Sequence, residues 1–406
     1  MIKDRIISCS PKDVSDMKEK RIFGPDQELE VVRFCQELVR IKSVNPPGDE
    51  LAIAEVVASF LKKAGLEVDL VKHTPTRASV LARLKGSGQK PSLLYNGHLD
   101  TVPVGTEKWI HDPYGAEIVE GKIWGLGSSD MKGGVAVLMV AAKALSKARL
   151  PLRGDLIIAA TAGEEEDSLG ANALAAQRDL GPVQAVVIPE PSSNDIYVAE
   201  KGALWLELAT HGKTSHGSMP EMGRNAITMM VTLIKELGKI NIPYKEHPLL
   251  GGFTQSVNTI TGGVKTNVVP DHCVVTVDMR TVPGQDHQAI LRQVEDLMAA
   301  LRQRIPDFNA TARITNDRPP LETSPNEPVV QSFLDVVAEV TGERPVLKGV
   351  RYYTDAVAFV PVLKAPMIIC GPGKAKLAHQ PNEYVEVSKL IEAAKIYTLA
   401  AAKLLQ

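Results

Sequence analysis

Cysteine is scarce in this chain. The four that occur, Cys9, Cys35, Cys273 and Cys370, form no C-x-x-C pair and share no tight spacing. That argues against a disulfide framework or a structural zinc knuckle and suits reduced thiols in the cytoplasm. An excess of charge of one sign is lacking too: 46 Lys and Arg stand against 48 Asp and Glu, a formal net charge of −2. Without a basic patch there is no electrostatic footprint for nucleic acid or an anionic membrane surface. No stretch approaches the ~20 apolar residues of a membrane span. The opening MIKDRIISCSPKDVSDMKEKRIFG is charged throughout and lacks the apolar core of a signal peptide. Internal repeats and low-complexity segments are missing as well. These absences leave a cytoplasmic globular protein whose partner is a small molecule.

At 406 residues the chain exceeds what one hydrophobic core usually supports, which predicts two domains. After an irregular or helical arm over residues 1–25, apolar residues recur at helical spacing from Leu29 to Ile41. The turn chemistry of SVNPPGDE stops that helix, and Asp49 is placed to cap the next. Strands and helices then alternate: LEVDLV, ASVLARL, SLLYNG, the helix VAVLMVAAKALSKA, the strand DLIIAAT, the helix GANALAAQRDL and the strand AVVIPE. Such alternation predicts an α/β domain with a mainly parallel sheet. Beyond Tyr197 the order becomes strand, helix, strand, strand, helix, strand, a separate α+β unit of ferredoxin-like type. Alternation returns after Pro319, Pro320 and Pro325. The expected organisation is therefore a catalytic domain of residues 26–199 and 315–406 with a lid inserted at 200–314.

Open parallel sheets bind ligands beyond the carboxyl ends of their strands, and metal-type ligands collect there. LLYNGHLD ends a strand in His98 and Asp100, GLGSSDMKGG places Asp130 before a helix, AATAGEEE and VVIPEP end strands in Glu164, Glu165 and Glu190, and His379 follows MIICGPG. Each alone has a plain explanation, a hydrogen-bonded histidine or a helix cap; all of them on one sheet edge do not. Two cations about 3.5–4 Å apart need a bridging carboxylate and further ligands on each side. His98, Asp130, Glu165, Glu190 and His379 supply that number, and the imidazole and carboxylate donors suit Zn2+ first, with Co2+ or Mn2+ also possible. Asp100, two residues from His98, fits the carboxylate that orients a metal-bound imidazole.

With these motifs in place, the chain resembles the M20 metallopeptidase family, of the acetylornithine deacetylase and succinyl-diaminopimelate desuccinylase type. The resemblance runs over nearly all of residues 26–406 and is carried by NPPGDE, GHLDTVP, GLGSSDMKGG, GEEEDSLGA, PEP, GKTSHGSMPEMGRNAI, TGGVKTNVVPDHCVVTVDMR, YTDA and AHQPNEYV. It implies that His98 and Glu190 hold one ion, Glu165 and His379 the other, and that Asp130 bridges them. It implies Glu164 as the general base for the attacking water, His216 as a residue that reaches a neighbouring subunit's site in a homodimer formed through the lid, and Asn267, Arg280 and Thr354 as substrate contacts. Counting back from Gly170 sets the functional pair at Glu164 and Glu165, leaves Glu166 in a variable position and reads Asp167 as solvated. Gly163 departs from the Asp often found there. Asp278, on the same strand face as Arg280, either positions it or is a surface acid. Tyr353 stands where many deacylases have glycine and would reshape the pocket.

The implied activity is hydrolysis of the amide of an N-acyl amino acid. A dipeptidase or carboxypeptidase would use the same residues, and an amidohydrolase acting on a formyl, carbamoyl or aryl amide fits Tyr353. A non-catalytic relative would have lost one of Asp130, Glu164 or Glu165; all three are present.

Overall fold

The computed structural model describes residues 22–406. Of the arm expected over residues 1–25, residues 1–21 lie outside the described residues, and Pro25 already belongs to the helix Pro25–Arg40. The chain forms two compact units. One runs to Val198 and resumes at Thr323–Lys348 and Thr354–Gln406; the other is Ala199–Glu322 with Gly349–Tyr353.

In the first unit, α1 (Pro25–Arg40) starts with proline at its first turn beside Asp26 and Glu28, where a missing N–H costs nothing and acids face the positive helix end. It buries Val31, Phe34, Cys35 and Leu38 on one face. Helix α2 (Leu51–Lys63) begins after Glu50, not after a capping Asp49, and the Glu50 side chain makes no cap bond because it is turned to Arg77. The strands that follow are β1 (Glu67–Lys72), β2 (Ala78–Leu84) and β3 (Ser92–His98), then the short β4 (Ile118–Val119) and β5 (Lys122–Trp124). Next come α3 (Lys132–Ala148), β6 (Leu156–Thr161), α4 (Leu169–Gln177), β7 (Val183–Pro191) and β8 (Tyr197–Glu200). The centre of the large sheet, β6-β3-β7, is parallel, while β1 and β2 add to it antiparallel. Helix α3 is apolar nearly all round and is buried along most of its length, as such a helix must be. It lies so close to β7 that a Cβ on Gly134 would come within 2.5 Å of the Pro189 carbonyl.

The second unit carries β9 (Gly202–His211), α5 (Ala226–Leu237), β10 (Thr254–Gly262), β11 (His272–Thr281), α6 (His287–Arg304), β12 (Ala310–Arg318) and β13 (Leu321–Glu322). Its antiparallel sheet has the order β10-β11-β9-β12. Alternate residues of β11, from Cys273 to Met279, join Met230, Leu233, Val294 and Met298 of the two helices in one core. Strand β10 is an edge and is exposed along nearly its whole length, so it shows no burial alternation.

The chain continues with α7 (Pro328–Thr341), β14 (Lys348–Val350), α8 (Ala356–Leu363), β15 (Met367–Gly371), β16 (Tyr384–Glu386) and α9 (Val387–Leu405). Strand β15 extends the parallel centre beside β7. A three-stranded sheet, β16-β5-β4, links the last turn before α9 to the segment before Asp130. Tyr95 of β3 donates its hydroxyl to the Tyr397 carbonyl at 2.8 Å, and Tyr397 donates to that of Cys370 at 2.7 Å, so the buried tyrosines lose no hydrogen bond. Among the described residues, no helix is long and apolar enough to cross a membrane.

Candidate metal centre

His98 closes β3, the Glu164/Glu165 pair follows β6, Glu190 sits near the end of β7, and His379 lies in the loop after β15. All are carried at the carboxyl end of the parallel strands. Asp130 enters from the turn before α3. Its Oδ1 is 3.2 Å from His98 Nε2 and its Oδ2 3.7 Å from His379 Nε2. Glu190 Oε1 stands 3.6 Å from His98 Nε2, and Glu165 Oε2 2.8 Å from His379 Nε2. Two ligand triads result, His98–Asp130–Glu190 and Asp130–Glu165–His379, each with donor atoms within 4.8 Å of one another and with Asp130 common to both.

The electrostatics follow from the crowding. Burial opposes a charged His98 imidazole, yet its bonds to Asp100 and Asp130 and the nearby Glu190 hold its pKa well above the ordinary range. Burial, with Glu190, Glu165 and Asp355 close by, pushes the Glu164 carboxyl well up against the pull of His98. Burial and Asp130 do the same to Glu190. Asp130 moves the other way: burial opposes its charge, but its bond to His98, the charges of His98 and His379 and its bond to Glu190 together lower its pKa. Carboxylates this close repel one another unless positive charge lies among them. Glu165 Oε1 is buried with no hydrogen-bond partner, an orphan lone pair that a cation would satisfy. Imidazole nitrogens and carboxylate oxygens in this ratio fit divalent zinc, cobalt or manganese.

Asp100 does more than accompany a histidine. His98 Nδ1 is 3.1 Å from the Asp100 carbonyl and 3.5 Å from its Oδ1. The fully buried carboxylate also accepts the backbone N–H groups of Gly163 at 3.1 Å, Glu164 at 3.2 Å and Glu165 at 3.1 Å, and the Asn45 amide at 3.0 Å. The glutamate turn is thus hung on Asp100, and Asn45 of the NPPGDE segment braces it. Glu166 is exposed. Asp167 is not simply solvated: though half-exposed, it pairs with Arg77 at 3.0 Å.

Thr354 is fully buried, and its hydroxyl accepts the Ala356 N–H at the start of α8. His216, Asn267 and Arg280 belong to the second unit. There His216 Nδ1 is 2.7 Å from Ser218 Oγ, Gly217 N–H donates to the Asn267 carbonyl at 2.8 Å, and Arg280 Nε is 3.0 Å from Asp278 Oδ1. Asp278 therefore holds Arg280. Tyr353 lies under the Arg318 guanidinium, 5.8 Å from ring centroid to cation. Residues that sequence reasoning missed include Asn45, Arg77, Thr161 and Glu383. Thr161 donates to Asp355 at 2.6 Å beneath the glutamate turn. Asn45 and Glu383 stood inside recognisable motifs, but nothing local told of their partners.

A parallel sheet with two such triads at its strand ends defines a hydrolase with a candidate metal centre. The model of peptidase family M20/M25/M40 matches residues 94–403, and the chain belongs to that family. It is 27% identical over 398 residues to a probable succinyl-diaminopimelate desuccinylase of Staphylococcus epidermidis, covering 91% of this chain and 96% of the relative. With an acetylornithine deacetylase of Photorhabdus laumondii the identity is 31% over 353 residues, covering 85% and 88%. Among solved structures, the fold is shared with aminopeptidase PepT of Bacillus cereus, with TM-score 0.76, 22% identity, and 93% and 99% of the two chains covered. It is shared too with a dinuclear metal-binding M20 peptidase of Bacillus subtilis, with TM-score 0.71, 16% identity, and 94% and 99% covered.

Proposed function

We propose that the protein hydrolyses the amide bond of N-acyl amino acids, in the manner of a deacetylase or desuccinylase, with two divalent cations, zinc first among them. The observation that carries this reading is the Asp130 carboxylate, one oxygen toward His98 and the other toward His379. In the proposal His98 and Glu190 complete one cation site, Glu165 and His379 the other. Such cations polarise a scissile carbonyl and lower the pKa of water when bound.

The chain's own residues supply the rest. Glu164, partly buried beside the ligands, takes the proton of the attacking water and returns it to the leaving nitrogen. Asp100 fixes the backbone on either side of that base and orients His98. Arg280, held by Asp278, offers a guanidinium fork to the substrate carboxylate, with Asn267 as a further contact; the buried Thr354 supports the start of α8 behind the site. His216 acts in the site of a second copy. A homodimer through the lid is supported by the exposed edge strand β10 and by exposed Val231, Ile260 and Val264. The N-acyl substrate class is favoured over peptides by the two sequence relatives, which span most of the chain.

The test is hydrolysis by stripped protein reloaded with zinc or cobalt, on one panel of N-acetyl, N-succinyl and N-formyl amino acids and dipeptides. Metal-dependent turnover of N-acyl amino acids is the expected result. Turnover of dipeptides alone would make the protein a peptidase, and turnover untouched by stripping would remove the metal centre.

A further inference from the structure

The ligands of the two triads are not held equally well. His98 and Glu190 stand on strand ends, with side chains 1% and 6% exposed. His379 lies in the long loop between β15 and β16, with a left-handed backbone (φ +60°) and a side chain 53% exposed. A ligand on such a loop is placed only as well as the loop is fastened.

The fastening is visible on both sides of His379, and both times it reaches the turn that carries Asp130. Four residues after His379, the Glu383 carboxylate is almost wholly buried. It accepts the backbone N–H of Gly127 at 2.9 Å, Ser129 at 2.7 Å and Asp130 at 2.8 Å. Its own carbonyl accepts the Gly125 N–H at 2.9 Å, and β16 begins at the next residue, paired with β5 through Tyr384 and Trp124. Before His379, the Lys374 N–H donates to Ser129 Oγ at 2.7 Å. Ser129 is therefore gripped through its N–H by one end of the loop and through its hydroxyl by the other. Three bonds from one buried carboxyl group to backbone amides are among the stronger positional restraints a protein offers. Asp100 grips the glutamate turn by the same means.

We infer that Glu383 is a positioning residue that latches the His379 loop to the Asp130 turn, so that the Asp130–Glu165–His379 cation site depends on it while the His98–Asp130–Glu190 site does not. Both sites use Asp130, but only one also needs the His379 loop held in register with the Asp130 turn. This inference rests on the dinuclear reading proposed above.

The experiment is calorimetric titration of zinc into stripped wild-type protein, Glu383→Gln and Ser129→Ala, with the melting temperature of each stripped protein measured alongside. Glutamine keeps an acceptor for Ser129 and Asp130 but turns an amide group toward the Gly127 N–H. Ser129→Ala deletes the hydroxyl contact to Lys374 and leaves the carboxylate. Wild type binding two zinc ions upholds the dinuclear reading, and binding of one or none refutes that reading itself. Given two, Glu383→Gln is expected to weaken one binding step by about 10- to 100-fold, as losses of ligand-supporting bonds do, and to leave the other as in wild type. Ser129→Ala is expected to weaken the same step by less. Unchanged affinities with a lowered melting temperature would make Glu383 a stability residue only, and equal loss at both steps would make it a general support; either overturns the inference. Should Glu383→Gln fail to fold, Ser129→Ala decides it alone on the same readout.

Discussion

Arg77 and Asp167 close the glutamate turn from outside: the Arg77 guanidinium meets the Asp167 carboxylate at 3.0 Å through Nη1 and 3.3 Å through Nη2. The same guanidinium grips Glu50, which is wholly buried, through Nε at 3.1 Å and Nη2 at 3.0 Å. Three segments far apart in the chain, the start of α2, the turn before β2 and the turn after β6, are thereby locked together behind the candidate base.

The two halves of this network differ in weight. Asp167 is half-exposed, and a pair of that kind is worth about 0–1 kcal/mol. Glu50 is dry, so removing its partner strands a buried charge at a cost of about 3–5 kcal/mol. Arg77→Met is therefore expected to destabilise the protein by several times more than Asp167→Ala. Chemical unfolding of the two variants checks this, and equal losses would show that Glu50 is relieved by another route.

Gly163 follows β6 at the head of the glutamate turn, and the geometry gives a reason for glycine there. Its φ is +89°, and a Cβ there would fall 2.3 Å from Asp167 Oδ1 and 2.4 Å from Arg77 Nη2. Gly163→Asp would thus combine backbone strain of about 1–3 kcal/mol with rupture of the Arg77 clamp and a new acid beside Glu164. A lowered melting temperature together with a fall in kcat is expected. A variant as stable and active as wild type would show that the turn can be rebuilt around a side chain.

Glu164→Gln removes the proposed base and leaves the residues of both ligand triads unchanged. Turnover is expected to fall by at least about 100-fold, the lower range of general-base effects, while zinc content by mass spectrometry stays at the wild-type value. Retained turnover would take the role from Glu164; lost zinc would make it a ligand instead.

How much of this was legible beforehand follows from how local each signal is. His98, Glu165 and Glu190 each terminate an apolar strand, so a short window announced them, and the sheet-edge rule gathered them. The helices with continuous periodicity, α3 and α9, were placed within a few residues. Strand β10 was not delimited, because exposure along its length removes the alternation that marks a strand. The strands of the β16-β5-β4 sheet, two or three residues each, are too short to carry a pattern at all. The polar supports were hidden for another reason. Arg77 meets partners 27 and 90 residues away, and Glu383 reaches amides more than 250 residues upstream. Nothing in a local window encodes such a partner; the fold supplies it.

The last prediction concerns stripped protein and pH. The bond to Glu165, aided by the charges of Glu165 and Asp130, raises the His379 pKa from 6.5 to about 9. A group whose folded pKa lies above its unfolded one stabilises the fold fully below the unfolded value and loses that contribution as pH climbs through the folded value. His98 is raised too, and so are Glu164 and Glu190, whose pKa values start far lower. All four therefore favour the stripped fold in their protonated forms, and the fold loses that support as rising pH removes each proton. Asp100 and Asp130, whose pKa values are lowered, act only at acid pH. Cations replace those protons, because imidazole must be neutral to bind them. The melting temperature of stripped protein should therefore fall relative to that of zinc-loaded protein between about pH 6.5 and pH 9; the buried Lys132, whose pKa is lowered to about 7, has the opposite sign but acts in both forms and cancels in the difference. Because the His379 side chain is half-exposed, solvent screening weakens its own share. A gap between loaded and stripped melting temperatures that widens with pH is the expected outcome. A gap that stays constant or narrows would mean that zinc does not displace protons from these residues.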